Sequence, residues 1–274
     1  MENQDTTQLR LTDTASTESD SRPVIIIPLD LCYGSASNLV EAVRGSLARP
    51  PERVTLDLGE LRAMDSSGLK PLLEGRRLCE EAGVELALSS VSECVAKVLR
   101  MSRFDQLFDI DDTAIRSKTG RARPVTHREF TDWHSCEHVA DSDPSLIGTL
   151  RESVAKVAMD AGVSDEELCD IRIAVGEALT NAYKHGSPNR GRSKISVRCM
   201  SCPESLAVEV RDEGPPFDAD AVDDPDPAKM RDHGMGIYLM RQAMDVVEFR
   251  SGCPGNMVRM IKWLDPGKRS GEPR

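Results

Sequence analysis

Leu206-Ala207-Val208-Glu209-Val210-Arg211-Asp212-Glu213-Gly214 decides how the second half of this 274-residue chain is read. Apolar and polar residues alternate through Val210, the period of a strand with one buried face. Leu206, Val208, Val210 and Asp212 share that face, so an acid ends an apolar row. A carboxylate there is costly unless something donates hydrogen bonds to it. One reading sets Asp212 just past the strand end, in water. The neighbouring Gly214, which allows a tight turn and a close approach, favours a site instead.

Upstream, Ser164-Asp165-Glu166-Glu167 has the form of a capping box. It opens a helix whose apolar row is Leu168, Ile171, Val175, Ala178 and Ala182. On it, Glu177 and Asn181 stand at i and i+4, one above the other. Alone, they would be an ordinary solvated face. Ala174, Ala178 and Ala182 beside them indicate a face that something approaches closely. Downstream, Glu213 to His233 has no secondary-structure period and carries Pro215, Pro216, Pro225 and Pro227. A patternless stretch of that length is either disordered or functional. It ends in Gly234-Met235-Gly236-Ile237-Tyr238-Leu239-Met240, a glycine entry to a helix. Such an N-terminus offers backbone N–H groups and a positive dipole end to a phosphate. A Gly-x-Gly alone is weak. A carboxylate, an amide, a second acid and a glycine turn are together the parts that a nucleotide site needs.

With these motifs in this order, residues 127–265 resemble the GHKL ATPases, and among them the anti-sigma-factor serine kinases of bacterial stress and sporulation systems. Glu-Ala-Leu-Thr-Asn-Ala-x-x-His-Gly (177–186), Asp-Glu-Gly-Pro-Pro-Phe-Asp (212–218) and His-Gly-Met-Gly-Ile-Tyr-Leu-Met (233–240) carry the resemblance. It implies that Glu177 is the general base toward a substrate serine, that Asn181 orients Mg²⁺ and that Asp212 binds the adenine amino group. It implies that Gly214, Gly234, Met235 and Gly236 shape the lid and the phosphate contacts of bound ATP. Family lids carry an arginine close to the glycine pair; here Arg231 is near, with Asp232 and His233 between. Phosphoryl transfer needs positioning and charge neutralisation more than covalent help, so these residue types suffice. Mg²⁺ keeps waters and phosphate oxygens, so one Asn can serve. The sequence has no G-x-x-x-x-G-K-[ST] loop and no D-F-G. It also has no dimerisation helix pair bearing a phosphoacceptor His. His127, His134, His138, His185 and His233 read as surface or packing residues.

The first half alternates strands with helices. Val24-Ile25-Ile26-Ile27 reads as a buried strand, followed by a helix through Leu39, Val43 and Leu47 that ends at Pro50-Pro51. Val54, Leu56 and Leu58 form a second strand. Leu69, Leu72, Leu73 and Arg76 mark a helix closed by Gly83, Glu85-Leu86-Ala87-Leu88 a third strand, and Val95, Val98 and Leu99 another helix. Between strand and helix lies Asp65-Ser66-Ser67-Gly68. An Asp or Ser there is an ordinary N-cap. A phosphate on Ser67 would also be favoured at a helix N-terminus, and would add about −2 charges to a local surface. Residues 22–116 resemble the STAS domain of anti-sigma-factor antagonists. The resemblance implies that Ser67 is the phosphoacceptor, with Ser66 the second candidate, and that the helix face with Lys70 and Glu74 belongs to a partner surface.

The expected architecture is an α/β STAS domain, a mixed sheet with helices, joined to an α+β GHKL (Bergerat) ATP-binding sandwich. In the sandwich, helices precede strands at Ile195–Cys199, Leu206–Val210, Val246–Phe249 and Val258–Trp263, which implies a largely antiparallel sheet. The expected boundaries are a disordered tail at 1–21, too polar to offset its ordering entropy, the STAS domain at 22–116 and a Gly/Pro-broken basic linker at 117–126. The ATP-binding domain spans 127–266 and a tail 267–274.

The net charge is −11 and the hydrophobic fraction 39%, which argues against a nucleic-acid binder and against docking on anionic lipid. No apolar run approaches the roughly 20 residues that span a bilayer, and the N-terminus lacks a signal-peptide pattern, so a cytoplasmic protein is expected. Its eight cysteines read as small buried hydrophobes of a reducing compartment. Cys199-Met200-Ser201-Cys202 lacks the second ligand pair of a zinc site.

The two resemblances together imply partner switching as the function. ATP and Mg²⁺ serve a serine kinase fused to an antagonist, with a sigma factor or a STAS-domain antagonist as partner and a homodimer as one possible state. The alternatives are a non-catalytic ATP-binding module that sequesters those partners, and an ATPase driving a clamp. A linker of ten residues reaches only ~18 Å, so transfer between chains of a dimer stands beside transfer within one chain.

Overall fold

The computed structural model describes residues 10–13, 23–27, 30–31, 36–61, 63–110, 134–189, 191–219, 221–222, 234–252 and 255–264. The expected linker (117–126), the expected tail (267–274) and Arg231, Asp232 and His233 lie outside the described residues. The chain divides into two units, Met1–Lys118 and Thr119–Arg274.

The first unit runs β1 (Arg10–Asp13), β2 (Pro23–Ile26), β3 (Asp30–Leu31), α1 (Ala36–Ser46), β4 (Arg53–Asp57), β5 (Ala63–Met64), α2 (Ser66–Glu81), β6 (Glu85–Ser89), α3 (Glu93–Met101), a 3-10 turn at Phe104–Leu107 and β7 (Asp109–Ile110). Its main sheet has the order β1-β2-β4-β6-β7, antiparallel between β1 and β2 and parallel elsewhere. Parallel neighbours need crossovers, and α1, α2 and α3 supply them. Leu86, Ala87 and Leu88 are all buried in succession, the pattern of a strand covered on both faces. A separate parallel pair, β3 with β5, leads into α2. That helix stops at Ala82, and Gly83 follows at φ +69°, the left-handed exit expected from the sequence.

The stretch 1–21, expected to be disordered, contains β1. Antiparallel pairing with β2 gives partners to the backbone groups on one side of β1, and that pairing makes the strand.

The second unit runs β8 (His134–Asp141), α4 (Ser145–Asp160), α5 (Asp165–Lys184), β9 (Lys194–Cys202), β10 (Ser205–Asp212), α6 (Met235–Ala243), β11 (Val246–Ser251) and β12 (Asn256–Trp263). Its five strands take the order β11-β12-β10-β9-β8, every described pair antiparallel. The helices pack on the sheet, α4 on β8 and β9, α5 on β10 and β12, and α6 on β11. Residues of β9 and β10 alternate between buried and accessible, as in a sheet with one covered face. Helix α5 touches α4, α6 and the sheet, so Ile173 through Thr180 are buried without a break. That central position makes Glu177 a core residue.

Among the described residues no helix is long and apolar enough to cross a membrane. Cys79, Cys136, Cys199 and Cys202 carry free thiols. No group of three or more His, Cys, Asp or Glu gathers as a metal cage among the described residues.

Candidate functional site

The site begins at the start of α5. The Ser164 hydroxyl accepts from the Glu167 N–H at 3.2 Å, and Glu167 Oε2 accepts from the Ser164 N–H at 2.7 Å. This is the capping box expected from the sequence, and it fixes the helix register. Glu177, one turn before Asn181, is fully buried at 0% exposure. At the helix exit the Asn181 carbonyl accepts from both the His185 N–H at 2.9 Å and the Gly186 N–H at 3.3 Å. Ser187 then donates to the Ala182 carbonyl at 3.0 Å and pairs with the Ser142 hydroxyl, which anchors the chain leaving the helix.

Strand β10 carries Asp212 to that exit. Asp212 Oδ1 accepts from the Gly214 N–H at 2.8 Å and from Asn256 Nδ2 at 3.0 Å. Asp212 is half-buried and does not sit free in water past the strand end. The Glu213 N–H donates to the Gly186 carbonyl at 3.2 Å, so the turn after β10 is tied to the end of α5. A Cβ on Gly186 would fall 2.2 Å from Asp212 Cγ, and one on Gly214 would fall 2.5 Å from Gly186 Cα. Only glycines allow the two segments to come this close.

Asn256 stands directly opposite Asp212 in the β10–β12 pairing. Its Nδ2 also donates to the Pro215 carbonyl at 2.9 Å, while its Oδ1 is buried without a hydrogen-bond partner among the described residues. The sequence reading named neither Gly186 nor Asn256 as a site residue. Gly186 could have been found, since it closes the Glu177–Gly186 motif. Asn256 follows Pro254-Gly255 in the sequence, and only the strand pairing reveals that it stands opposite Asp212.

Helix α6 closes the arrangement. Gly234, at φ +91°, is its N-cap, a conformation that side chains rarely tolerate. Met235 is buried, and Gly236 sits against α5: a Cβ there would lie 2.7 Å from Glu177 Oε2 and 3.5 Å from Asn181 Nδ2. Glu177, Asn181 and Gly236 therefore meet. Asp212, Gly214, Gly186 and Asn256 meet at the adjoining end of α5, joined to them through the Asn181 carbonyl.

In the first unit Asp65 is the N-cap of α2 and is fully buried at 0% exposure. Its Oδ1 accepts from the Ser67 N–H at 3.0 Å and also from the Ser67 hydroxyl. Ser67 remains partly accessible. Pro71 occupies the position whose N–H would bond the Ser67 carbonyl, so the first turn of α2 depends on its cap.

The model of the histidine kinase-like ATPase domain matches residues 140–262. A serine-protein kinase RsbW from Bacillus velezensis is 33% identical over 137 residues, covering 45% of this chain and 82% of that protein. This chain belongs to the RsbW family of serine-protein kinases. The RsbW of Bacillus subtilis aligns with the same identity and coverage, 33% over 137 residues, 45% of this chain and 82% of that protein. The RsbW of Listeria monocytogenes is 32% identical over 130 residues, covering 44% of this chain and 82% of its own. The STAS domain model matches residues 14–116, so the RsbW-type unit here follows a STAS domain. Among solved structures, the RsbU and RsbW domains of a Mycobacterium tuberculosis protein match at 16% identity and a TM-score of 0.37, over 48% of this chain and 33% of that one.

Proposed function

We propose that the second unit binds ATP with Mg²⁺ and transfers the γ-phosphoryl to a STAS-domain serine, with Glu177 as general base and Ser67 of this chain, or its equivalent in a separate antagonist, as acceptor. The observation that carries the proposal is the contact of Gly236 with both Glu177 and Asn181. It sets a helix N-terminus, the natural seat of a phosphate, against a carboxylate that can take a proton. A pure binding module has no use for a fully buried carboxylate at that place, where it is costly to keep.

The residues suit the ligand. The glycines at 186, 214 and 236 leave space that a Cβ would fill. Asp212, held by two donors, would present a carboxylate to an exocyclic amine, and the buried Asn256 Oδ1 beside it has no donor among the described residues. For Mg²⁺ the donor set is sparse: Asn181 offers one hard carbonyl oxygen, and the remaining ligands would be phosphate oxygens and water. Bound there, the ion would neutralise charge on the phosphates. Glu177 accepts the serine hydroxyl proton as the serine oxygen attacks the γ-phosphorus; the bond to the bridging oxygen breaks and ADP leaves.

A phosphate on Ser67 would crowd negative charge into the surface near Lys70 and Glu74 and so change the affinity of the STAS domain for its partner. The partner is a sigma factor or an antagonist of this type, and the switch operates in the cytoplasm, where ATP is at hand. Incubation with Mg-ATP and phosphopeptide mapping test the proposal. Phosphoserine at 67 supports it, free phosphate alone indicates an ATPase, and neither indicates a binder. Label that survives Ser67→Ala but disappears with Glu177→Gln would move the acceptor to another serine.

A further inference from the structure

Cys199 and Cys202 suggest a C-x-x-C pair in the sequence, but they stand three apart on β9 and so point to opposite faces of the sheet. Cys202 Sγ pairs with the Ser205 hydroxyl at 3.2 Å. The counterpart of Cys199 is Cys136, its direct register partner across the antiparallel β8–β9 pair. Opposed residues in such a pair have Cα atoms about 4.5 or 5.5 Å apart. Both spacings lie within the range a disulfide spans without moving the backbone, about 4.4–6.8 Å. Both thiols are free, and the sulfurs are close enough for one S–H to donate to the other.

We infer that Cys136 and Cys199 form a reversible oxidation site that converts a hydroperoxide into a cross-strand disulfide. The two cysteines are unequal in a way that assigns their roles. Cys136 lies on the edge strand, is half-buried, and can meet a small oxidant. Cys199 lies inside the sheet at 0% exposure and is reached only by its neighbour. The S–H of Cys199 donating to Cys136 holds the Cys136 thiol down to about 6, with His138 adding to the effect, while that same bond and burial push Cys199 up. Cys136 is therefore the thiolate nucleophile at neutral pH.

The Cys136 thiolate attacks one peroxide oxygen, the O–O bond breaks, and sulfenic acid and hydroxide form. The Cys199 sulfur then attacks the sulfenic sulfur; water leaves, carrying the Cys199 proton. The two sulfurs lose two electrons and the peroxide gains them. The product staples edge strand β8 to β9 beneath α4, whose Ser153 carbonyl is the other group near Cys136 Sγ, at 4.0 Å. A dithiol returns the pair to its starting state.

The test uses the full chain, reduced with dithiothreitol, freed of it, and treated with equimolar hydrogen peroxide before alkylation and peptide mapping. The expected product is a linked peptide joining Cys136 to Cys199, reversed by dithiothreitol. It should be lost in Cys136→Ser and in Cys199→Ala and kept in Cys202→Ser. Mapping of the unsubstituted chain decides the matter even where a variant folds poorly. A link from Cys199 to Cys202, Cys136 oxidised to sulfinic acid with Cys199 still a thiol, or no reaction at Cys136 would each overturn the inference.

Discussion

At the level of single residues, function turns on groups held where solvent would not leave them. Glu177 is buried beside a glycine, and replacing it with Gln keeps the shape while removing the carboxylate of the proposed base. Glu177→Gln should lower phosphotransfer by about 10²–10⁴-fold with ATP affinity little changed, read by radiolabel transfer beside calorimetry. Asn256 tests the other end of the site. Losing its hydrogen bond to the Asp212 carboxylate should weaken ATP binding by about tenfold in Asn256→Ala. Asn256→Asp should weaken it further, because two carboxylates would then face each other. The thiols make a pH prediction. Alkylation of Cys136 should fall away as pH drops through about 6, where the thiolate takes up its proton. Cys79, pushed up to about 11 by burial and the nearby Glu80, should stay unreactive at neutral pH. Mass spectrometry after timed iodoacetamide treatment reads both. Glu177, Asn181, Asp212 and the glycines stand in motifs local to one helix, one strand end and one helix start, and the family resemblance that those motifs carry is what singles them out in the sequence. Asn256 was not legible there, since its partnership with Asp212 spans a strand pairing that no local period encodes.

At the level of elements, the sequence was legible wherever burial imposed a period. Helix α5 announced its start through Ser164 and Glu167, and β10 announced itself by strict alternation. The strands that escaped are β1, β3, β5, β7 and β8, each at an edge of its sheet. His134–Asp141 shows why: most of β8 is exposed or half-exposed, so nothing selects a regular apolar row, and backbone pairing with β9 alone makes the strand. Helix α2 depends on local chemistry in another way. With Pro71 removing one backbone bond, its first turn rests on Asp65. Asp65→Ala should cost about 1 kcal/mol of cap stability and speed hydrogen exchange at the Ser67 and Gly68 amides, while exchange in β6 stays slow. Unchanged exchange at Ser67 would show that Asp65 is not holding the turn. Gly186→Ala, which places a Cβ 2.2 Å from Asp212 Cγ, should displace the β10 turn and abolish measurable ATP binding.

At the level of the whole molecule, the chain carries a unit of a serine-protein kinase family behind a STAS domain. Composition could establish two domains, and motif order could establish their kinds, but neither says which chain a kinase unit serves. Mixing two inactive variants answers this. Glu177→Gln lacks the proposed base and Ser67→Ala the proposed acceptor, so on that proposal label on the Glu177→Gln chain can arise only from transfer between molecules. We expect that label, with a rate that rises with protein concentration.

The bond from the Ser67 hydroxyl to the buried Asp65 has a further consequence. Were Ser67 phosphorylated as proposed, the proton it shares would be the one that esterification removes. The buried carboxylate would then confront a dianion across the same gap. The helix opening would have to find a new arrangement, so a phosphorylated chain would differ from its parent in shape as well as in charge, and a partner could distinguish the two by feel before it senses any field.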